Sequence, residues 1–484
     1  MTQPVVFVSI PHGGSAGNVL RTGLVRRLLD TPESPDVVVI SPLVKDDAFV
    51  AEFGHPRVHF VDLPPHRPAG LEARLMALVQ AGYIGSGVTE SVRIRRAEAA
   101  AARTIRWIGA KRLLASLTAP TMVCARTRYD VIDRLVTHPD AERLFDRYAP
   151  ALLVASSPGL ILAEVPLLRT AVRRGVRTIA IDPSWDNFTN KLLPVRRVDR
   201  LIVWNELMKQ QAIELHGYRA GEVRVAGTPQ WDLYFRPGPV TGRDAFFHRI
   251  GADPARPLVT LTTTPRELYS HHDHVLRVMI GAMSGGRWPG PVQILVRLHP
   301  RDDRAAYECF ENVPDVIIEK PFRSTVRTGD GLDIDVTADN QRHLADTLRH
   351  SDVIVNVAST IAIEAAIFDT PVVNVSFDGE TPSAWVKSAR RYYRFTHYVN
   401  ITRHGAAQVA DTPDRLVEEV GRYLADPSRD REGRQRVVIE QCQFLDGRSA
   451  ERVAGFVAGE LAAVCGSLDA PTSEEAVQTR VAQR

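Results

Sequence analysis

The 484-residue chain contains few cysteines, few lysines and no long apolar run. Its four cysteines stand far apart, without a Cys-x-x-Cys pair or the histidine spacing of a zinc site, so they are interpreted as buried thiols of a reducing compartment. No apolar run approaches the roughly 18 residues that span a bilayer, and the N-terminus enters a strand directly, unlike a signal peptide. These absences predict a cytoplasmic protein.

The charge balance gives no support for a nucleic-acid partner. Lysine and arginine together number 60 against 57 acidic residues, which leaves a formal net charge of +3. Lysine occurs at only six positions, and the excess of arginine is interpreted as a compositional habit rather than as a binding patch. No nucleic-acid partner is predicted, while peripheral contact with the inner face of the plasma membrane stays open.

Short β-branched runs alternate with longer amphipathic stretches along almost the whole chain, which is typical of βα units on parallel sheets. A Pro- and Gly-rich stretch at 236–242 separates two such series and marks a hinge. The pattern therefore predicts an α/β protein with two doubly wound, Rossmann-like domains that face each other across a cleft. The expected parts are an N-terminal domain at 1–238, a C-terminal domain at 243–446, a helix at 447–465 that packs back across the hinge and a disordered tail at 466–484.

Individual strands and helices are predicted from the same periodicities. A long helix with a basic outer face is expected at 91–117, and further helices near 273–283, 340–349, 360–368 and 412–426. The predicted strands are 5–10, 36–41, 58–63, 151–156, 176–181 and 200–205 in the first series and 257–264, 292–300, 315–320, 351–357 and 371–377 in the second.

Polar clusters follow the strands of the second series. Ligands of open parallel sheets bind beyond the carboxyl ends of the strands, where backbone N–H groups at helix starts point at anions. Hydroxyl, imidazole and guanidinium groups at these places are suited to the oxygens of a nucleotide diphosphate. The candidate residues are Thr263 and Thr264 after one strand, Arg297 and His299 after the next, and Ser359 and Thr360 after SDVIVNVA.

Glu364 is a lone carboxylate in the apolar helix predicted after Thr360. If Thr360 caps this helix, Glu364 lies one position beyond the place of a capping-box glutamate. Its carboxylate could then accept hydrogen bonds from both hydroxyls of a nucleotide ribose. The alternative is a glutamate that only benefits from the helix dipole in the first turn.

Three segments of the chain together carry a resemblance to a known family. They are RLHP at 297–300, SDVIVNVASTIAIEAAIFDTPVVNV at 351–375 and SWDNFTNKLLPVRRVDRLIVWNELMKQQAIELHGYRAGEVRVAGTPQWD at 184–232. The sequence resembles bacterial surface-polysaccharide glycosyltransferases of the GT-B type, related to the CDP-glycerol glycerophosphotransferase-like family. The resemblance covers about 151–375 and implies a transferase that uses neither a metal nor a cofactor. It also implies that the second lobe binds a nucleotide-activated donor, linked to UDP, GDP, CDP or CMP, and that the first lobe holds a glycan or lipid-linked acceptor.

Candidates for proton transfer follow strands of the first series. His12, in PHGGSAGN, could take a proton from an acceptor hydroxyl, although a loop histidine without chemical function is the alternative. Asp186 is the rival base. The run after the first strand is not G-x-G-x-x-G, so a dinucleotide cofactor is disfavoured. Residues expected to contact the acceptor or a phosphate are Gly13 and Gly14, whose backbone permits close approach, together with Asn187 and Lys191.

Other functions stay open at this point. His271 and His274 lie one helical turn apart after Ser270, which is expected to cap the helix, but no third metal ligand is identifiable, so no metal site is predicted. A non-hydrolysing nucleotide-sugar 2-epimerase shares the two-lobed architecture, but NVAST replaces the glycine-rich turn expected of an epimerase. A nucleotide-sugar-binding protein with a decayed active site is the third alternative.

Overall fold

The computed structural model describes most of the chain, and three of the predicted features lie partly outside the described part. Positions 102–117 of the predicted basic helix and the tail beyond 468 are not described. The predicted hinge includes 237–240, which are also outside the description. The described residues are 3–63, 66–101, 132–191, 193–194, 196–236, 241–321 and 337–468.

Two parallel sheets form the centre of the molecule. The first lobe carries seven strands in the order β3-β2-β1-β4-β5-β6-β7 and the second lobe six strands in the order β10-β9-β8-β11-β12-β13. The strand order reverses at β1/β4 and at β8/β11, so each sheet is doubly wound, which confirms the predicted fold class. The strands are β1 Val5–Ser9, β2 Asp36–Ile40, β3 Val58–Val61, β4 Leu152–Ala155, β5 Arg177–Ile181, β6 Arg200–Val203, β7 Val223–Val225, β8 Leu258–Thr262, β9 Gln293–Arg297, β10 Val316–Glu319, β11 Val353–Asn356, β12 Val372–Val375 and β13 Gln408–Ala410.

Helices cover the faces of both sheets. Short 3-10 helices occupy Pro42–Lys45, Leu162–Glu164, Ala220–Glu222, Pro229–Trp231, Arg304–Phe310 and Ala389–Arg394, and Ala16–Leu20 form a π-helical turn. The α-helices are α1 Gly13–Ser15, α2 Leu24–Leu29, α3 Asp47–Phe53, α4 Gly70–Ser86, α5 Glu90–Ala101, α6 Pro139–Tyr148, α7 Val165–Arg173, α8 Asn187–Asn190, α9 Glu206–His216, α10 Asp232–Phe235, α11 Arg243–Ile250, α12 His272–Ser284, α13 Ala338–His350, α14 Ile361–Ile367, α15 Thr396–Thr402, α16 Pro413–Ala425, α17 Arg431–Cys442 and α18 Ser449–Leu468.

Local sequence explains several of these boundaries. Thr412 caps α16 by accepting a hydrogen bond from a backbone N–H of the first turn, and Pro413 occupies the first helical position, where its missing N–H costs nothing. Ser270 does not cap α12, because His271 stands at the N-cap position instead. The edge strands β7 and β13 are only three residues long, too short to be recognised by periodicity.

The last helix returns to the first lobe. Val453, Val457 and Leu461 of α18 are buried in the same core cluster as β1 and β2, and Glu460 forms an ion pair with Arg200 of β6 at 2.7 Å. This packing places the C-terminal helix on the lobe that begins the chain. Within the described residues, no helix combines the length and the apolar character that crossing a bilayer would require.

Candidate active site

A pocket with a volume of about 480 Å³ lies between the two lobes. Loops that follow β1 and β5 form one wall, and loops that follow β8, β9 and β11 form the opposite wall. This is the edge at which the carboxyl ends of parallel strands meet. The lining residues are His12, Gly14, Arg95, Asp186, Asn190 and Lys191 from the first lobe and Thr263, Thr264, Pro265, Leu268, His299, Pro300, Arg301, Val357, Ala358, Ser359, Tyr392, Phe395 and His397 from the second.

Most of the residues singled out in the sequence are brought together in this pocket. They come from segments as distant as the first and the eleventh strand, so only the fold makes them neighbours. The structure places at the pocket His12, Gly14, Asp186, Lys191, Thr263, Thr264, His299 and Ser359. It does not place Gly13, Asn187, Arg297, Thr360 or Glu364 among the lining residues.

His299 is held as a neutral hydrogen-bond donor. Its backbone N–H donates to the hydroxyl of Thr263 at 2.8 Å, and its Nδ1 accepts from the backbone N–H of Arg301 at 3.1 Å. Burial lowers the pKa of His299 to about 4. Because Nδ1 serves as an acceptor, Nε2 carries the proton and can donate to a phosphate oxygen.

Thr264 is positioned by a histidine that sequence analysis did not select. The backbone N–H of Thr264 donates to Nε2 of the buried His272 at 2.9 Å, and burial lowers the pKa of His272 to about 4. His272 stands between His271 and His274, the two histidines considered as metal ligands. Its role in the structure is to support the wall of the pocket.

The turn between β11 and α14 forms the floor beside Ser359. Ala358 has a φ of 41°, in the left-handed region that residues other than glycine rarely occupy. Such a conformation costs energy and is retained where surrounding contacts determine it. Ala358 itself lines the floor of the pocket.

Glu364 is hydrogen-bonded within the protein, and its expected contact with a ribose stays a prediction. Its buried carboxylate accepts a hydrogen bond from the hydroxyl of Tyr234 at 2.7 Å. Burial raises the pKa of Glu364 to about 7. Since Tyr234 belongs to α10, just before the predicted hinge, Glu364 ties the second lobe to the segment that joins the lobes.

Arg297 and Asn187 are engaged inside the lobes. Arg297, which is buried, forms an ion pair with the partly exposed Glu319 at 2.8 Å, and Asn187 donates to Asp182 at 2.7 Å. Both predicted residues therefore support the strand ends that carry the pocket loops. Direct ligand contact by either of them stays a prediction.

Asp186 is ionised throughout the neutral pH range. Burial alone would raise its pKa, but the Lys191 ammonium, which lies 3.5 Å away, and His397 hold the pKa of Asp186 at about 2. Hydrogen bonds from Ser184 at 2.5 Å and Asn190 at 3.1 Å add to this effect. A carboxylate with so low a pKa accepts a proton poorly at neutral pH, which favours His12 as the base.

Contacts with Ser15 of α1 orient the ring of His12. Its Nδ1 accepts from the backbone N–H of Ser15 at 3.2 Å, and its Nε2 lies 3.3 Å from the Ser15 hydroxyl. A Cβ on Gly14 would lie 3.1 Å from Nδ1 of His12, closer than most Cβ contacts. The glycine after the first strand therefore leaves room for the imidazole.

Arg95 and His397 complete one end of the pocket. Arg95 donates to Asn190 at 3.2 Å and lies over the ring of Phe395. His397 packs edge-on against Trp185, with ring centroids 4.9 Å apart, and burial lowers its pKa to about 4. The basic face of α5 was a signal for Arg95, whereas nothing in the sequence around His397 indicated a site.

One group among the described residues has the donor set of a metal site. The ligand atoms of His66, Glu72 and His138 lie within 4.8 Å of one another. Glu72, however, is already paired with the buried guanidinium of Arg169, whose charge opposes a second cation. None of these residues lines the pocket between the lobes.

Comparisons with known proteins agree with this architecture. The lipid-A-disaccharide synthase of Geobacter sulfurreducens is 27% identical over 334 residues, which are 63% of this chain and 76% of that protein. The S. aureus MnaA–UDP co-structure matches with a TM-score of 0.54 and 10% identity, covering 95% of this chain and 97% of the other. A UDP-GlcNAc 2-epimerase from Neisseria meningitidis bound to UDP-GlcNAc matches with a TM-score of 0.51 and 9% identity, covering 94% and 98%.

At such low identity the two solved structures support the two-lobed fold alone. The family model described as CDP-Glycerol:Poly(glycerophosphate) glycerophosphotransferase matches residues 166–459. This span exceeds half of the 484-residue chain and includes the second-lobe wall of the pocket. The chain belongs to the CDP-glycerol:poly(glycerophosphate) glycerophosphotransferase family.

Proposed function

We propose that the protein transfers a sugar or glycerol phosphate from a nucleotide-activated donor to a hydroxyl of a cell-surface glycan or lipid-linked acceptor. The observation that carries this proposal is the pocket between the lobes. It places a histidine and an ionised carboxylate of the first lobe opposite hydroxyl and imidazole donors of the second. Family membership supports the reaction class, and the pocket supports the position of the reaction.

The second lobe provides the donor side. The hydroxyls of Thr263 and Ser359 and the Nε2–H of His299 are donors suited to a diphosphate, and Arg301 adds a positive charge at the same wall. These groups stabilise the charge that develops on the nucleoside phosphate as it leaves. In this mechanism the chain's own residues provide the stabilisation, without a bound metal.

The first lobe provides the acceptor side. His12 takes the proton from the acceptor hydroxyl as its oxygen bonds to the transferred group and the bond to the leaving phosphate breaks. Asp186 stays ionised and orients Lys191 at 3.5 Å, which places a positive charge beside an anionic acceptor. The acceptor hydroxyl then belongs either to a lipid-linked molecule at the inner face of the membrane or to a growing glycan. The protein needs only peripheral contact with the membrane.

Nucleotide binding is the first test. UDP, GDP, CDP and CMP are added separately to the purified protein, and the nucleotide of the true donor raises Tm because it binds the folded state alone. Thr263→Val is expected to reduce this rise. If none of the four nucleotides raises Tm, the donor-site assignment is wrong.

Transfer is the second test. With the nucleotide that binds, donor turnover is measured with and without hydroxyl acceptors, and His12→Gln is expected to lower kcat by about 10²- to 10⁴-fold, the contribution of a general base. Activity that persists in EDTA would support charge stabilisation without a metal. Conversion of UDP-N-acetylglucosamine to an epimer in the absence of acceptor would favour the epimerase alternative, and a complete lack of turnover would favour a binding protein.

A further inference from the structure

A buried acid lies behind His12 at the carboxyl ends of β1 and β4. Glu164 is fully buried, with 0% of its surface exposed. Its carboxylate accepts hydrogen bonds from the backbone N–H of Ser156 at 2.8 Å and from the hydroxyl of Ser157 at 2.6 Å. Glu164 is not one of the candidate residues predicted from the sequence, and it does not line the pocket.

A continuous chain of hydrogen bonds connects Glu164 to the imidazole. The carboxylate lies 3.0 Å from the hydroxyl of Ser156, which lies 3.0 Å from the hydroxyl of Ser15. The Ser15 hydroxyl in turn lies 3.3 Å from Nε2 of His12. Ser15 and Ser156 are buried, so water does not compete strongly for these contacts.

The direction of each hydrogen bond follows from the number of protons available. Nδ1 of His12 accepts from a backbone N–H, so the proton of the neutral ring is on Nε2, which donates to Ser15. A hydroxyl carries a single proton. The contact geometry makes the Ser156 hydroxyl the donor both to Ser15 and to Glu164, so its single proton goes to one of them. When Glu164 is ionised its carboxylate takes this proton, and the Ser15 hydroxyl, which accepts from Nε2, then turns to donate to Ser156. Every donor in this chain then has an acceptor.

We propose that Glu164 is a positioning residue that acts on His12 through the hydroxyls of Ser156 and Ser15. The inference deepens the proposed function and rests on the role of His12 as the base. During transfer the acceptor hydroxyl displaces the Ser15 N–H from Nδ1, and its proton moves to Nδ1. The proton on Nε2 stays in place, and the ionised carboxylate at the far end stabilises the positive ring through the aligned hydroxyls.

The ionisation of Glu164 controls this alignment. Burial raises the pKa of Glu164 to about 7, although hydrogen bonds from Ser157 and Ser156 oppose the rise. Once the carboxyl is protonated it donates a hydrogen bond, and the order of donors along the chain is no longer fixed. The ring also faces other charged or titratable groups that line the pocket: Arg95, Asp186 and Lys191 from the first lobe and His299, Arg301 and His397 from the second.

The decisive variant is Glu164→Gln, which keeps the shape of the side chain and removes its charge. Ser15→Ala interrupts the series of hydrogen bonds between Ser156 and His12 and leaves the Glu164 carboxylate intact. Glu419→Gln is the matched control, because Glu419 is equally buried but forms its ion pairs on α16 of the second lobe. We expect the first two variants to lower kcat by about 10- to 100-fold, less than loss of the base itself. KM for the donor and the nucleotide-induced rise in Tm should stay unchanged in all three variants.

The pH profile separates positioning from a structural role. In the wild type, log kcat falls on the acidic side with contributions from both His12 and Glu164. In Glu164→Gln and Ser15→Ala this limb should move to lower pH, because the protonated ring is no longer stabilised. Identical limbs in the wild type and both variants would overturn the inference. A fall in the Tm of both variants, with no change in the acidic limb of log kcat, would also overturn the inference.

A second readout does not depend on turnover. The ring nitrogens of His12, assigned in 15N spectra with His12→Gln, should report the Nε2–H tautomer and a second inflection near pH 7 in the wild type. This second inflection should be absent in Ser15→Ala. It should also be absent in Glu164→Gln if that variant folds. If the wild type turns over no donor, the proposed function fails while these spectra still test the chain. If the protein turns over donor but the spectra show no coupling between His12 and Glu164, only the inference about the chain of hydrogen bonds fails.

Discussion

Carboxylates close together in the sequence have very different protonation in the first lobe. Asp182 and Asp186 follow the same strand, yet burial raises the pKa of Asp182 to about 8, while Lys191 and His397 overcome burial and hold the pKa of Asp186 at about 2. Where two neighbouring acids have widely different pKa values, one can take part in proton transfer while the other stays ionised and stabilises charge. Each acid and most of its partners, such as Ser184 and Lys191, were visible in the sequence, whereas burial and the contact with His397 come from the fold.

Glu364 offers a prediction at the level of a single side chain. Glu364→Ala removes the acceptor of the buried Tyr234 hydroxyl, so the free energy of unfolding should fall by about 1–3 kcal/mol, whereas Glu364→Gln keeps an acceptor and should cost less. Urea denaturation measures both values. Tyr234→Phe is the control, since it removes the same hydrogen bond from the other side.

Nucleotide affinity in the same variants tests the ribose-binding expectation. If Glu364 also contacts a ribose, both Glu364 variants should bind the nucleotide more weakly, while Tyr234→Phe should bind it normally. Equal affinity in all of them would reject the ribose contact. Glu364 would then act through its contacts within the protein, among them the hydrogen bonds with Tyr234, Thr360 and Trp231.

Helix α5 joins the lobes at one end of the pocket. Glu98 of α5 forms an ion pair at 2.6 Å with Arg391 of the second lobe, and the hydroxyl of Ser91 accepts from the backbone N–H of Thr396 at 2.8 Å. Arg95, between these contacts, lines the pocket. Contacts across the cleft therefore hold Arg95 and His397 in place, which connects the relative position of the lobes with the shape of the site.

A double-mutant cycle tests this connection. Glu98→Ala and Arg391→Ala should each lower the stability of the protein, and the partly buried pair should show a coupling energy of about 1–3 kcal/mol. Each variant should also raise KM for the acceptor, because Arg95 loses its fixed position. Glu90 and Arg394, an exposed pair at 3.0 Å on the same two elements, provide the control, with an expected coupling of about 0–1 kcal/mol. Equal coupling for both pairs would contradict the proposed role of burial.

The balance of buried titratable groups determines how the stability of the whole molecule depends on pH. Burial raises the pKa of Glu164 and Glu364 to about 7 and that of Asp182 to about 8. The folded state retains these protons when the unfolded state has lost them, so stability falls as pH rises through 7 to 8. Burial lowers the pKa to about 4 for His138, His216, His272, His299 and His397.

These histidines have the opposite effect on the acidic side. The unfolded state gains their protons below about pH 6.5, so stability falls as pH decreases from 6.5 through 4. Between 4.5 and 6.5 the five histidines outweigh the three acids, and above 6.5 the acids act alone. The free energy of unfolding should therefore be greatest near pH 6.5, with a loss of about 1–3 kcal/mol by pH 8.5.

Urea denaturation across this pH range measures the profile. Asp182→Asn should flatten the alkaline side, because it removes the acid with the highest pKa, and should steepen the acidic side, because one acid fewer then opposes the five histidines. Stability that continues to rise between pH 6.5 and 8.5 would show that these three acids are not buried in their protonated form.

Strand periodicity was sufficient to predict most of the fold. Every strand predicted from a short β-branched run is present, and each is shorter than predicted. These runs are recognisable because strands buried on both faces are continuously apolar. Local pattern also located the turns at which His12, Thr263, His299 and Ser359 stand. It did not reveal β7, β13 or His397, since none of them differs in composition from its surroundings.

The sequence by itself determined the two series of βα units, and with them the strand ends at which a ligand of an open parallel sheet must bind. Only the tertiary structure decided which groups at those ends face the pocket and which are buried behind it. Contacts between distant segments bring His397 to Asp186, turn Glu364 toward Tyr234 and place Glu164 behind His12. Desolvation and hydrogen bonding depend on the assembled core, so a linear pattern of residues cannot specify them.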